Sequence, residues 1–136
     1  MPANDVTHLS SKLGPRLKVV GLVDPNTGRA QETLAKKRDS FVLSAYQNTR
    51  VCKNLQEFID NATPEEAPRA IIVGSPPMFR GTLQPGRDIE VQLLKNFPGT
   101  PIFVEKPITT GPLQEVAETY QIARQISDTQ TICSVG

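Results

Sequence analysis

Three short runs, LKVVGLV at 17–23, RAIIVG at 69–74 and PIFVE at 101–105, constrain the fold most. Each is apolar at nearly every position, so neither side of the segment can be left to water, and a strand of that kind must be covered on both faces. The segments between them carry helical signals. TGRAQETLAKKR (27–38) reads as an amphipathic helix whose basic last turn suits the negative end of the helix dipole. NLQEFIDNA (54–62) reads as a short helix with Asn54 as N-cap. DIEVQLLKNF (88–97) places Ile89, Leu93 and Phe97 on one face, widened by Leu94. LQEVAETYQIARQIS (113–127) is the longest helical pattern, with Val116, Tyr120 and Ala123 expected on its core side. TICSV (131–135) is a further strand, and FVLSAY (41–46) is ambiguous, leading into a short strand at Thr49–Cys52. Near the start, Val6, Leu9 and Leu13 recur at helical spacing until Gly14-Pro15 stops them. Strands alternating with helices predict an α/β architecture, a Rossmann-like doubly wound parallel sheet with helices on both faces. No repeat, low-complexity tract or linker interrupts it, so residues 1–136 are expected to form a single domain.

Composition narrows the functional classes. Fifteen Lys and Arg against 14 acids give a net charge of +1, which offers no electrostatic footprint for nucleic acid or an anionic membrane. Aromatics are scarce at 5% and Trp is absent, which removes a base-stacking platform. His8 is the only histidine, so a multi-histidine metal centre is impossible and any Ser-His-Asp arrangement would have to use it. Cys52 and Cys133 sit apart in apolar surroundings and read as small reduced core residues. No metal site is expected. There is no basic-plus-apolar leader pattern and no apolar run of membrane-spanning length, so a cytoplasmic protein is expected.

Ligands of open parallel sheets bind outside the carboxyl ends of the strands. Three such ends are chemically marked: Asp24-Pro25, Ser75-Pro76-Pro77 and Glu105-Lys106-Pro107. If the strands share one sheet, these turns share an edge. Asp24 can accept hydrogen bonds from ribose hydroxyls and repel a 2′-phosphate, or it can simply N-cap the following helix with Pro25 at its first position. Ser75-Pro76-Pro77 is stiff and poor in N–H donors, able to pass beneath a flat ligand or merely to end a strand. Lys106 can hydrogen-bond a substrate hydroxyl and steer its proton, while Glu105 can orient that ammonium or contact a ribose. The alternative is a surface ion pair beside a turn proline. The Lys106-Pro107 bond is a candidate for the cis form.

Taken together, GLVDPN (21–26), AIIVGSPPMFRG (70–81) and IFVEKP (102–107) resemble the nucleotide-binding domain of the glucose–fructose oxidoreductase, inositol dehydrogenase and rhizopine-catabolism (Gfo/Idh/MocA) family. The resemblance covers roughly residues 9–136, and Glu-Lys-Pro at a strand end is its most diagnostic motif. It implies a domain binding NAD or NADP, leaning to NAD through Asp24, which aligns with the family's ribose-reading acid. It implies that Lys106 is the catalytically important, substrate-contacting lysine, and that Ser75 and Pro76 border the cofactor beside Glu105. The implied activity is hydride transfer to or from a sugar, polyol or related alcohol.

Three departures from the family pattern qualify this. Pro77 and Arg80 stand where the family usually has Asn and His, and Arg80 is left between binding an anionic group and lying at the surface. No GxGxxG turn is present, so the usual first strand and its phosphate cradle are expected to be lacking. The family's C-terminal substrate domain would follow Gly136. The chain therefore reads as a partial domain, truncated at both ends, with exposed strand edges that invite homo-oligomers. The competing expectations are a non-catalytic dinucleotide-sensing regulator of the same fold and an inactive truncated product.

Overall fold

The computed structural model describes residues 11–136. The histidine His8 and the helix expected through Val6 and Leu9 lie outside the described residues; residues 11–13 are helical and pass into a 3-10 turn at Gly14–Arg16. The chain forms two compact units, one reaching to Ala67 and the other running from Pro68 to Gly136.

In the first unit, strand β1 (Gly21–Val23) pairs in parallel with β2 (Arg50–Cys52), Leu22 opposite Val51. Helices α1 (Thr27–Arg38) and α2 (Leu43–Tyr46) lie between them in sequence, and α3 (Leu55–Asn61) follows β2. The ambiguous 41–46 segment is thus helical at its end. Its Val42, Ala45 and Tyr46 form the core with Leu34 of α1, against half-buried Leu17, Val19 and Val51. Arg38 closes the crossover. Its guanidinium donates to the carbonyls of Tyr46, Gln47 and Thr49 at 3.1–3.2 Å, satisfying groups at the end of α2 that the short helix leaves open. Thr49 Oγ1 donates to the Val19 carbonyl at 2.6 Å, which brings the chain back to the sheet. Asn54 caps α3 as expected, its side chain accepting from the Glu57 amide at 2.8 Å.

The second unit carries a three-stranded parallel sheet in the order β3 (Ile71–Val73), β4 (Ile102–Val104), β5 (Cys133–Val135). Helix α4 (Ile89–Asn96) links β3 to β4, and α5 (Leu113–Asp128) links β4 to β5. Leu93 and Leu94 of α4 are buried together with Val73, Ile102, Val104 and Ile122. These are parallel sheets with flanking helices, the α/β Rossmann-like class. The ladders fall into two sheets rather than one: among the described residues β1 pairs only with β2, and β3 only with β4. Both Cys52 and Cys133 are free thiols; Cys52 is buried, whereas Cys133 is only half-buried. Among the described residues no helix is long and apolar enough to cross a membrane.

The α5 core face differs from its expectation. Val116 and Tyr120 are 47% and 67% exposed and Ala123 is also exposed, while Glu115 and Ile122 are buried. The helix turns inward the row Glu115–Thr119–Ile122–Ile126, spaced by three and four residues. The reason lies in the loop between β3 and α4, whose donors and acceptors need partners. Arg87 forms a two-pronged ion pair with Glu115, Nη1 to Oε1 at 2.6 Å and Nη2 to Oε2 at 3.0 Å. Thr119 Oγ1 donates to the Gly81 carbonyl at 2.6 Å. Polar satisfaction chose the face.

Leu34 is a buried apolar side chain of the first unit's core, packed with Val42, Ala45 and Tyr46. Leu34→Ala is expected to cost ~2–5 kcal/mol, read as a drop in the urea midpoint; a loss below ~1 kcal/mol would contradict the packing described.

Candidate functional site

The parallel register sets the site in the second unit. Ile71 faces Ile102, Val73 faces Val104, and Val104 faces Val135, so the three strands end level. Pairing continues one step beyond: the Glu105 amide donates to the Val73 carbonyl at 3.0 Å, and the Lys106 amide to the Gly136 carbonyl at 3.0 Å. Lys106 is therefore tied by its backbone to the sheet edge, and the Lys106–Pro107 bond is cis. Its side chain is exposed, and its ammonium makes no hydrogen bond or ion pair among the described residues. Glu105, the neighbouring residue on an extended chain, forms no ion pair with Lys106.

Ser75 leaves β3 at the same edge. Its hydroxyl is buried without a hydrogen-bond partner among the described residues, and its carbonyl accepts from Arg80 Nε at 2.6 Å. Pro76 is exposed and opens the 3-10 turn Pro77–Phe79, whose last residue donates its amide to the Pro76 carbonyl at 3.0 Å. Ser75, Pro76, Glu105 and Lys106 thus share the carboxyl edge of one sheet.

Arg80 is neither at the surface nor free to meet an anion. It is 1% exposed, and besides Ser75 it reaches the Ile108 carbonyl in a long contact of 3.5 Å. Burial works against its charge, while the carboxylates of Glu90 and Glu105 support it. Glu90, 3% exposed at the start of α4, accepts from the Gly81 amide at 2.9 Å through Oε2, and its Oε1 is unpartnered among the described residues. Burial pushes the Glu90 carboxyl above the usual glutamate range. Sequence reasoning missed Glu90 because an acid in the first turn of a helix is ordinary and signals nothing.

Asp24 stands at the carboxyl end of β1 in the first unit, its amide donating to the Cys52 carbonyl at 3.0 Å. It does not cap α1. Asn26 does, accepting from the Arg29 amide at 3.0 Å, because Pro25 lies outside the helix rather than at its first position. The Asp24 carboxylate instead accepts from the Asn26 amide at 2.8 Å and from Arg29 Nη2 at 2.9 Å. The Arg29 guanidinium beside it holds its carboxyl below the usual aspartate range, with smaller help from the Asn26 amide. Arg29 too was missed. A cation in the first turn of a helix opposes the dipole, and that misplacement was the signal available.

Comparison with known proteins bears on the fold. The model of an oxidoreductase family with an NAD-binding Rossmann fold matches residues 3–136. Two proteins of Schizosaccharomyces pombe are similar across nearly the whole chain. Uncharacterized protein C12C2.04 is 31% identical over 137 aligned positions, covering 99% of this chain and 35% of that protein. Uncharacterized protein UNK4.17 is 35% identical, covering 99% of this chain and 33% of that protein. The chain therefore spans about a third of the length of these relatives. No solved structure matches it.

The ion pair at Asp24 has a definite pH consequence. Its folded pKa lies below the unfolded one, so its contribution to stability is present above the unfolded value and is lost as pH falls through the folded value. Arg29→Ala is expected to move the Asp24 carboxyl up toward the ordinary range in a carbon-detected NMR titration. An unmoved titration would mean that the pair does not form in solution.

Proposed function

The chain belongs to the oxidoreductase family with an NAD-binding Rossmann fold, and from that premise we propose that it is the dinucleotide-binding part of an enzyme that oxidises or reduces a sugar, polyol or related alcohol. The observation carrying this reading is the level end of β3 and β4, which puts an uncommitted lysine beside Ser75 at the carboxyl edge of a parallel sheet. That edge is where open α/β sheets bind their ligands. The residues suit a dinucleotide. Asp24 is an ionised acceptor at a strand tip, able to take ribose hydroxyls and unfavourable to a 2′-phosphate, which leans the choice to NAD. Ser75 offers a buried hydroxyl without a partner among the described residues, and Pro76 a face with no N–H.

A bound nicotinamide would supply the hydride acceptor or donor. Lys106 holds the alcohol oxygen through Nζ and moves its proton, a role suited to a compact, mobile ammonium on a long stem. Glu105, adjacent to it, accepts from a ribose hydroxyl. The two free thiols fit a reducing cytoplasm.

Titration of NADH into the protein, followed by nicotinamide fluorescence, tests the reading. Saturable binding is expected, weakened about tenfold by Asp24→Asn; any turnover on a polyol panel is lost in Lys106→Met while NADH binding is retained. Binding without turnover in the parent would favour a dinucleotide-sensing role. No saturable signal with NADH or NADPH would sink the dinucleotide reading itself.

A further inference from the structure

We propose that Arg80 is a positioning residue that fastens the Ser75 turn to the loop after Lys106, fixing the spacing between the two ligand-facing ends of β3 and β4. This rests on the reading of that edge as the cofactor and substrate site.

The fastening is built from both ends. Nε of Arg80 takes the Ser75 carbonyl at 2.6 Å, five residues back in the chain, and Nη1 reaches the Ile108 carbonyl, two residues beyond Lys106. Backbone proximity adds a second tie at the same place. Gly81 has φ +80°, and a Cβ there would come within 2.6 Å of the Ile108 carbonyl oxygen, so the two loops touch main chain to main chain. Gly81 is in turn held by Glu90 through its amide and by Thr119 through its carbonyl.

The chemistry requires arginine. A planar guanidinium can direct separate N–H groups to two carbonyls, whereas an ammonium acts as one point of charge. Its burial makes the arrangement stiff, because moving the guanidinium would leave the Ser75 carbonyl without its donor and the buried charge without the support of nearby Glu90 and Glu105. The Lys106 ammonium makes no hydrogen bond or ion pair among the described residues, so its aim depends on where its backbone is held. Arg80 acts on the site through that backbone, without contacting a ligand.

The test separates positioning from mere stability. Arg80→Met combined with Glu90→Gln removes both buried charges and spares the fold an unanswered buried carboxylate at 90, while half-buried Glu105 keeps access to water. The folded double variant is expected to bind NADH at least about tenfold more weakly. It should also show faster hydrogen exchange at the Glu105 and Lys106 amides while the Phe103 amide, in the middle of β4, stays protected. A merely structural role would speed all three together and leave binding by the folded fraction unchanged, which would overturn the proposal. Exchange confined to the two turn amides with unaltered NADH affinity would overturn it as well. If the double variant does not fold, Arg80→Lys, which keeps the charge but not the fork, is judged by the same readouts. Should the parent bind no dinucleotide, the functional reading fails, and the exchange pattern alone decides whether Arg80 fastens the two turns.

Discussion

Strands that pair in parallel and in level register must release their chains at the same edge of the sheet. In the second unit this is a matter of backbone hydrogen bonds: Val73 lies opposite Val104, Val104 opposite Val135, and the ladder runs on through the amides of Glu105 and Lys106. Slipping the register by one residue would invert the faces of β4 and expose Ile102 and Val104. The hydrophobic pattern that makes β4 a buried strand therefore also dictates where Lys106 emerges. Site geometry is here a by-product of core formation, since the lysine needs no side-chain partner of its own to be placed.

Much of this was readable from residue types. The runs at 17–23, 69–74 and 101–105 announce themselves by adjacent apolar side chains at strand length, and each yields a strand of three residues, although the first is only half-covered and leaves Val23 exposed. The helix at 27–38 and the Asn54 cap were equally plain, being local chemistry. What escaped reading shares one cause: it depends on partners distant in sequence. The inward row of α5 contains Glu115 and Thr119, which look like surface residues until Arg87 and the Gly81 carbonyl are brought against them. The outward row contains Val116 and Tyr120, which look like core. Periodicity counts hydrophobicity and is blind to a carboxylate whose guanidinium arrives from 28 residues away.

The candidate site shows the same division. Ser75, Pro76, Glu105 and Lys106 could be picked out because strand ends are where parallel sheets do chemistry. Arg80 looked like a choice between surface and anion, since arginine in a loop is ordinarily one or the other. Its true surroundings are backbone carbonyls, with buried Glu90 and half-buried Glu105 nearby. In that setting its value lies in the five N–H groups it can aim, and its charge is a burden offset by Glu90 and Glu105.

That burial bears on how such a chain can change by single steps. A lineage holding arginine at 80 and glutamate at 90 loses, by either one-residue exit, part of the opposite charge that its buried ion has nearby. Positions 80 and 90 should thus drift as a linked pair, passing through intermediates in which an uncharged amide or thioether softens the crossing. Comparing the two sites jointly across related genomes, rather than each alone, would expose that constraint as a forbidden combination.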